Sequence, residues 1–304
     1  MYTLENSIKT KYLKENSIVL DIETTGVSRI HSKVVVVGLL DHLGNFTQFA
    51  IKDESEEMTL LEEIFPFLNN KHIITFNGQN FDIPFLKDRY KHYGMEPFSE
   101  QSQFDIYRFL ISNRLITNFE NFALQDIEKI NNLERNENFE IKDDILLYNK
   151  ISDMDISKIM IHNKYDVINT ESILSIVKEI NNRKKFKILF KDHIHTAKIE
   201  HIDLDKNILQ IKSTLKNVDI PYRFEDGTYF LDWSNNTVTI RLKVIEGYLD
   251  DKDIGYAHIL NKNASFLDES TFNLPKNIVP ILCKRYYLEN IKNIVIDIFD
   301  RYMN

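Results

Sequence analysis

The sequence predicts an α/β domain with a mixed sheet flanked by helices, followed by a smaller, mostly β domain that ends in a helix. The first domain is indicated by residues 1–182, where short apolar runs alternate with segments of helical spacing. The second is indicated by residues 183–304, where short strand-like runs and turn signals follow one another. A basic segment, Arg183–Lys187, separates the two patterns and places the domain boundary between residues 182 and 183.

The first domain opens with three apolar runs joined by short turns, which predict an antiparallel meander. These runs are Ser17–Ile22, Lys33–Asp41 and Asn45–Ile51. Helices and strands then alternate, a pattern typical of parallel pairing. The helices are predicted at Glu56–Leu68 and Phe81–Tyr93, and the strands at His72–Phe76 and Gln103–Asp105. Residues 106–180 are predicted to be helical, with polar interruptions at 131–138 and 152–155.

The second domain carries no catalytic motif. Its predicted strands are Ile194–Ile202, Ile208–Leu215, Tyr229–Trp233, Val238–Ile245 and Tyr256–Leu260, and its final helix is Leu288–Tyr302. The basic cluster between the domains is either a solvated helix end or a contact for a phosphate backbone. Four aromatic residues belong to the core or, if exposed, stack on bases: Tyr222, Tyr229, Phe230 and Trp233. We therefore expect a module that binds substrate or a partner.

Composition excludes several classes of function. The single cysteine, Cys283, allows neither an internal disulfide nor a thiolate metal site, which fits a reducing, cytoplasmic setting. The longest apolar run, Val34–Leu40, is too short to span a bilayer, and the polar N-terminus lacks the apolar core of a signal peptide, so we expect no membrane contact. The net charge of −8, with the acidic excess in the first domain, argues against a simple basic coat for nucleic acid. It is compatible with a nuclease whose metal ions supply positive charge to phosphates.

Two carboxylates stand at the end of the first predicted strand, in "SIVLDIETTG". Asp21 and Glu23 are two residues apart, so a strand directs both to one face of the sheet. Two ionised carboxylates this close raise each other's pKa, and a divalent cation relieves the conflict. Oxygen ligands without a nearby Cys or His cluster suit a hard ion such as Mg²⁺ or Mn²⁺. The alternative is that one of the two carboxylates points to solvent at the strand end.

A third carboxylate, Asp82, lies in "IITFNGQNFDIPFL", where a strand ends and a helix begins. Asn77 and Gly78 predict a turn, and Asn80 is predicted to cap the helix. The end of the strand places Asp82 near the carboxyl edge of the sheet, where sites in α/β proteins form. Alternatively, Asp82 is only a favourable charge at a helix N-terminus, with Phe81 beside it in the core.

A fourth carboxylate, Asp166, lies four residues after His162 in "IMIHNKYDVINTESIL", so a helix places both on one face. A metal-binding carboxylate with a His one turn away can hold an ion and deprotonate a water. The alternative is a surface His–Asp pair. Asp105 ends the last predicted strand of the sheet. It is either a fifth carboxylate of the site, or an outer neighbour of the site or a helix cap.

Together these motifs resemble those of the DEDD-type 3′–5′ exonucleases, which have a ribonuclease-H-like fold. In detail, the first 180 residues are similar to the YprB-like proteins. The matching stretches are "DIETTG", "FNGQNFDIPFLKDRY", "FDIYRFL", "NFALQDIE" and "IHNKYDV", in the right order. The resemblance implies a ribonuclease-H-like mixed sheet, with two ions, Mg²⁺ or Mn²⁺, held by Asp21, Glu23, Asp82 and Asp166.

The resemblance also implies individual roles. Asp21 would bridge the two ions, Asp166 would hold the one that carries the attacking water, and Glu23 would help to orient that water. The implied contacts with the terminal nucleotide are Thr24, Thr25, Gly26, Asn77 and Phe81.

One position departs from the family pattern. The standard classes carry a Tyr in a Y-x-x-x-D pattern or a His one place further from the Asp, and this chain has His162 at the Tyr spacing. We expect His162 to position or deprotonate the water, because His is a better base than Tyr near neutral pH.

The sequence thus predicts a two-metal nuclease, specifically a 3′–5′ exonuclease that acts on single-stranded 3′ ends of DNA or RNA. One alternative is a catalytically inactive adaptor that keeps the fold and binds nucleic acid or protein. The other is a metal-dependent endonuclease, which uses the same carboxylates.

Overall fold

The computed structural model describes residues 1–135, 155–216, 218 and 221–302. The chain forms two compact units, Met1–Ser112 with Phe119–Val177, and Asn113–Asn118 with Lys178–Asn304. The division after residue 182 stays a prediction. Residues 136–154, which include parts of both predicted polar interruptions, lie outside the described residues.

The first unit is built on a six-stranded mixed sheet in the order β1-β4-β3-β2-β5-β6. The strands are β1 Tyr2–Ser7, β2 Ser17–Thr24, β3 Val34–Asp41, β4 Asn45–Ala50, β5 His72–Thr75 and β6 Ser102–Asp105. The first four pair antiparallel, and β2, β5 and β6 pair parallel. The predicted α/β class with a mixed sheet is therefore confirmed. Strand β1 was not predicted, because only Tyr2 and Leu4 of its six exposed residues are apolar, too short an alternation to indicate a strand.

Five α-helices accompany this sheet in the described ranges: α1 Glu57–Leu68, α2 Asp82–His92, α3 Ile106–Ser112, α4 Leu124–Ile130 and α5 Ile156–Arg183. Helix α5 continues from the first unit into the second. Short 3₁₀ turns lie at Glu54–Glu56 and Arg114–Ile116. The apolar positions of α1, predicted from their spacing, are buried at Leu60, Leu61, Ile64 and Leu68.

Strand β2 lies inside the sheet and separates two environments. Ile18, Leu20 and Ile22 point into a core that includes residues of α1 and α2, and each such buried side chain stabilises the fold by about 1.5–3 kcal/mol. Asp21, on the opposite face, contacts α5. The alternation of the strand therefore holds the carboxylate rigidly against the helix.

A buried ion pair fixes the loop that follows β2. Arg89 of α2 donates from Nε and Nη2 to the two carboxylate oxygens of Glu57 on α1, at 2.9 and 2.7 Å. Both side chains are fully buried. Arg89 also donates to the carbonyl of Ile30 at 3.1 Å, and Glu57 accepts the backbone N–H of Val34 at 2.9 Å. Two helices and the β3 side of the β2–β3 loop therefore meet at one charge pair.

The second unit is mostly β, as predicted, and ends in α6 Leu288–Tyr302. Its larger sheet is antiparallel in the order β10-β11-β12-β9-β8-β7. These strands are β7 Lys185–Phe190, β8 His193–Asp205, β9 Ile208–Leu215, β10 Tyr222–Glu225, β11 Tyr229–Ser234 and β12 Thr237–Lys243. A three-stranded sheet adds β13 Ile245–Tyr248, β14 Ile254–Ile259 and β15 Ile278–Leu282.

The basic cluster Arg183–Lys187 lies within this unit, where its lysines are divided between an exposed strand face and a buried position. Lys185 and Lys187 occupy the exposed positions of β7, while Phe186 and Ile188 are buried. Lys184 is buried, and its Nζ donates to Asn113 Oδ1 and to the carbonyl of Glu200 at 3.2 and 3.0 Å. For Lys184, the interpretation as a solvated helix end is therefore wrong.

The aromatic residues of this unit are divided in the same way. Tyr229 and Trp233 are buried in the core and cannot stack on bases. Phe230 lies on the other face of β11, with the guanidinium carbons of Arg223 and Arg241 at 5.2 and 4.4 Å from the ring centre. Within the described residues, no helix is both long enough and apolar enough to cross a membrane.

We predict that Glu57→Met lowers the free energy of unfolding by about 3–5 kcal/mol, because it leaves the buried Arg89 without its carboxylate. The matched control is Lys91→Met, which breaks an exposed pair with Asp88 at 3.9 Å and is expected to cost less than about 1 kcal/mol. Urea titration followed by circular dichroism measures both variants. Similar losses in the two variants would contradict the role given to the buried pair.

Candidate metal centre

The Asp21 carboxylate is oriented by an amide network from the opposite layer. Asn163 of α5 donates from Nδ2 to Asp21 Oδ2 at 2.7 Å and to the Asp21 carbonyl at 3.1 Å. Asn163 Oδ1 accepts from Gln48 Nε2 on β4 at 2.6 Å, and Gln48 also donates to the carbonyl of Met160. Asn163 and Gln48 are fully buried. The Asp21 carboxylate is therefore held in one orientation by amide groups that are shielded from solvent.

Gly38 on β3 allows α5 to approach the sheet this closely. Gly38 pairs with Asp21 across the sheet. A Cβ at position 38 would lie 2.3 Å from Asn163 Oδ1 and 2.7 Å from Val167 Cγ2, both of them too short. Any side chain at this position would therefore push α5 away from Asp21.

The Asp82 side chain is hydrogen-bonded to the backbone of the same strand. The carboxylate, at the first residue of α2, accepts the Ile22 N–H at 3.1 Å and is buried. The predicted cap by Asn80 is wrong, because the cap position is Phe81, without a side-chain bond, and Asn80 donates to Asn77 Oδ1 at 3.0 Å instead. The Ile22 N–H lies between Asp21 and Glu23 in the chain, so Asp82 is fixed beside both.

Asp105 shapes the turn before α2. Its carboxylate accepts the backbone N–H groups of Asn77, Gln79 and Arg108, at 3.0, 3.1 and 3.2 Å. The last of these bonds caps the first turn of α3. Of the two interpretations of Asp105, the structure therefore supports the cap, and the same carboxylate fixes the turn that carries Asn77.

Glu23, His162 and Asp166 converge to form a potential metal site. Each offers one ligand atom, and these three atoms lie within 4.8 Å of one another. His162 Nε2 is 3.6 Å from Asp166 Oδ2. Among the described residues, Asp21 and Asp82 lie outside this group of three, yet their charges act on it, since Asp166 raises the pKa of both.

Burial and mutual repulsion raise the pKa values of three carboxylates here. Burial raises the pKa of Asp21 well above its usual range, and the charges of Asp166, Asp82 and Glu23 raise it further. For Asp82, burial is again the main cause and raises the pKa to about 7. Burial also raises the pKa of Asp166, against the effect of His162 and Arg135. The ionised forms of these carboxylates are therefore unfavourable by themselves, and a divalent cation would stabilise them. Its carboxylate oxygens are the ligands that Mg²⁺ and Mn²⁺ prefer.

Two charged residues of the site were missed at the sequence level. Arg135 donates to both carboxylate oxygens of Glu128, at 2.5 and 2.6 Å, and to Asp166 Oδ1. Its Nη1 lies 3.5 Å from His162 Nδ1. Glu128 also accepts from Asn169 at 3.0 Å. Glu128 closes the quoted stretch "NFALQDIE", but no spacing in the sequence brings Arg135 to Asp166.

The residues proposed to contact substrate lie at the end of β2, in the loop that follows it, and in the loop before α2. Thr24 Oγ1 donates to the Gly26 carbonyl at 2.8 Å, and Thr25 Oγ1 accepts the Lys33 N–H at 2.9 Å. Asn77 adopts a positive φ of 65° in the turn before α2, and Phe81 packs on Phe85 at 5.3 Å between ring centres.

A link between these loops comes from Arg29, whose Nη2 donates to the Asn80 carbonyl at 2.9 Å. The hydroxyl bonds of Thr24 and Thr25 stabilise the loop after β2. Phe81, in the other loop, packs against the core. The role of each residue toward substrate stays a prediction.

Comparison with known families identifies the fold. The model of the family described as RNase_H superfamily matches residues 18–178, more than half of the chain. The chain belongs to the ribonuclease H superfamily. The match extends from β2 into α5 and so includes every carboxylate of the site.

Other similarities of this ribonuclease H-like chain are more distant. The catalytic polypeptide of DNA polymerase epsilon from Kluyveromyces lactis is 43% identical over 56 residues, which are 17% of this chain and 3% of the polymerase. The chain therefore spans only a small fraction of that relative.

Solved structures are similar over a larger part of this chain, but at lower sequence identity. Brucella melitensis NrnC bound to pGG has a TM-score of 0.39 at 15% identity, over 57% of this chain and 76% of that one. The zinc-bound E. coli ExoI–ssDNA complex has a TM-score of 0.39 at 12% identity, over 65% and 54%. The family B DNA polymerase of Pyrobaculum calidifontis has a TM-score of 0.41 at 17% identity, over 54% and 24%. The assignment of the superfamily depends on the family model and not on these structures.

We predict that Gly38→Ala lowers the free energy of unfolding by about 1–3 kcal/mol, because the added methyl group collides with Asn163. Gly247→Ala is the matched control, since a Cβ there meets no atom within 4 Å. The control is expected to change the free energy of unfolding by less than about 1 kcal/mol in a urea titration. Equal effects of the two substitutions would show that α5 does not need the close approach.

We also predict that, with a chelator present, the protein becomes less stable as the pH rises from about 4 to above 7. Between its ordinary pKa and the folded-state value of about 7, Asp82 binds more protons in the folded state than in the unfolded state, so folding is weakened as the proton is lost. Asp82→Asn should flatten part of this decline, by on the order of 1–4 kcal/mol. Thermal melts across this pH range test it, and identical profiles for the two proteins would contradict it.

Proposed function

We propose that this chain is a divalent-cation-dependent nuclease, and specifically a 3′–5′ exonuclease acting on single-stranded DNA or RNA. The observation that carries the proposal is the convergence of Glu23, His162 and Asp166 within 4.8 Å, beside the half-buried Asp21 and the buried Asp82. Buried carboxylates that repel one another are unfavourable unless a cation joins them. Membership of the ribonuclease H superfamily supports a phosphodiester substrate.

The residues that would hold two ions, Mg²⁺ or Mn²⁺, are Asp21, Glu23, Asp82 and Asp166. When bound, such ions supply charge to the phosphate oxygens and lower the pKa of the attacking water. Asp21 is suited to a shared position, because Asn163 fixes its carboxylate through Oδ2 and so orients the whole group. Asp82 is held by the Ile22 N–H and needs no rearrangement of the backbone to take part.

His162 is proposed to position or deprotonate the attacking water. A guanidinium only donates, so the Arg135 contact with Nδ1 at 3.5 Å favours the tautomer in which Nδ1 accepts and the imidazole proton is on Nε2. In this tautomer, Nε2 faces Asp166 as a donor. The arrangement supports an orienting role through Nε2, and deprotonation of water by Nε2 requires that its proton first leave.

The 3′ end of the nucleic-acid strand is proposed to lie between the two loops that Arg29 links. Thr24, Thr25 and Gly26 form one side and Asn77 and Phe81 the other, with the carboxylates at their base. The Thr25 N–H already bonds the Lys33 carbonyl, so the first loop is preorganised before any nucleotide binds. Nucleic acid is the proposed partner.

We predict that the protein shortens 3′-labelled and 5′-labelled single-stranded DNA or RNA from the 3′ end, in the presence of Mg²⁺ or Mn²⁺. Asp166→Asn should lower the rate at least about 100-fold, because the variant loses a carboxylate that would hold the metal ion that stabilises the transition state. Asp126→Asn, an acid-to-amide change on the exposed face of α4, should leave the rate unchanged.

Gel analysis of the labelled products decides between the alternatives. Intermediate-length fragments that keep the 3′ label on one substrate and the 5′ label on the other would indicate an endonuclease. Equal inactivity of the wild type and Asp166→Asn on every substrate would indicate a binding protein that only retains the fold.

A further inference from the structure

The Asp166 carboxylate already faces two nitrogen groups in the structure. Its Oδ1 accepts from Arg135 Nη2, and its Oδ2 lies 3.6 Å from His162 Nε2. The Arg135 and Asp166 side chains are 13% and 16% exposed. A side-chain cation therefore contacts one of the two carboxylate oxygens that Asp166 offers to a divalent ion under the proposed function.

Arg135 is not a loose surface side chain, because a second carboxylate holds it from behind. Glu128 is 2% exposed and accepts two bonds from the guanidinium. Glu128 Oε1 also accepts from Asn169, itself buried on α5. A buried, bidentate Arg–carboxylate pair has a defined geometry, so the direction of Nη2 toward Asp166 is part of the fold.

The partners of the site carboxylates differ in charge. Asp21 is bonded by the neutral amide of Asn163, and Asp82 by the neutral N–H of Ile22. Asp166, by contrast, is bonded by a guanidinium that cannot lose its proton. A cationic donor therefore contacts Asp166 before any ion arrives, whereas these donors to Asp21 and Asp82 are neutral.

We propose that Arg135 is a built-in counter-ion, which a divalent cation must displace from Asp166 Oδ1 in order to bind there. The inference rests on the proposed function, because it assumes that Asp166 is a metal ligand. Binding is then an exchange of one cation for another on Asp166. Because Glu128 retains the guanidinium, Arg135 stays close after the exchange and its charge weakens the hold of Asp166 on the ion.

The test is a calorimetric titration of the full chain with Mn²⁺ alone, without nucleic acid. Arg135→Gln should bind Mn²⁺ about 10-fold more tightly than the wild type, a change within the range that outer partners of metal ligands produce. Arg135→Lys keeps the charge and should remain within about 3-fold of the wild type. Thermal melts in chelator show whether each variant is folded.

A double variant, Glu128→Gln with Arg135→Gln, removes a confounding effect. In Arg135→Gln, the unpaired Glu128 carboxylate itself adds negative charge and attracts Mn²⁺. The double variant removes both charges, so the remaining effect on Mn²⁺ binding is the loss of the Arg135 bond to Asp166. It also avoids a buried unpaired carboxylate that would impair folding. It should still bind Mn²⁺ about 10-fold more tightly than the wild type.

The outcomes separate this inference from the proposed function. If the double variant binds Mn²⁺ no more tightly than the wild type, Arg135 only orients Asp166 and the counter-ion proposal is overturned, while the metal site stands. If neither the wild type nor the double variant binds Mn²⁺ more tightly than Asp166→Asn, the metal site itself fails, and this inference fails with it.

Discussion

Asn163 on α5 donates its amide hydrogen to the Asp21 carboxylate on β2, and this bond requires the helix and the sheet to approach closely. Gly38 permits the approach, and Gln48 fixes the amide from the far side. The rest of the site follows from this contact, because α5 also carries His162 and Asp166. A helix in any other position would separate these side chains from the strand that holds Asp21 and Glu23.

The electrostatics of the site are organised around this fixed geometry. Burial and mutual repulsion raise the pKa values of Asp21, Asp82 and Asp166, so the ionised site is under electrostatic stress without a cation. The protein meets this stress with hydrogen-bond donors of different charge, an amide, a backbone N–H and a guanidinium. Away from the site, the Glu57–Arg89 pair shows the opposite arrangement, in which two buried charges satisfy one another and fix a loop. The Glu57–Arg89 pair thus makes a loop rigid, whereas the carboxylates of the candidate site are proposed to be compensated by a metal ion.

The sequence was sufficient for the class of fold and for most central elements, because buried strands and amphipathic helices carry strong periodic signals. It was insufficient for β1, β10, β13 and β15, which are short and lie at the edges of their sheets, and for β7, whose exposed lysines resemble a basic linker. Asp21, Glu23 and Asp166 were recognisable from local spacing. Gln48 and Arg135 were not, since they lie 115 and 31 residues from Asn163 and Asp166, and no local pattern encodes such contacts.

The central claim is that the carboxylates on β2, α2 and α5 jointly bind divalent cations. Anomalous scattering from crystals grown with Mn²⁺ measures this directly, because it locates the ions without reference to activity. The account predicts two peaks about 4 Å apart, with Asp21 in contact with both and Asp166 in contact with one. The absence of any peak beside Asp21 and Asp166, or a separation of more than about 8 Å between the carboxylates of Asp21 and Asp82, would contradict it.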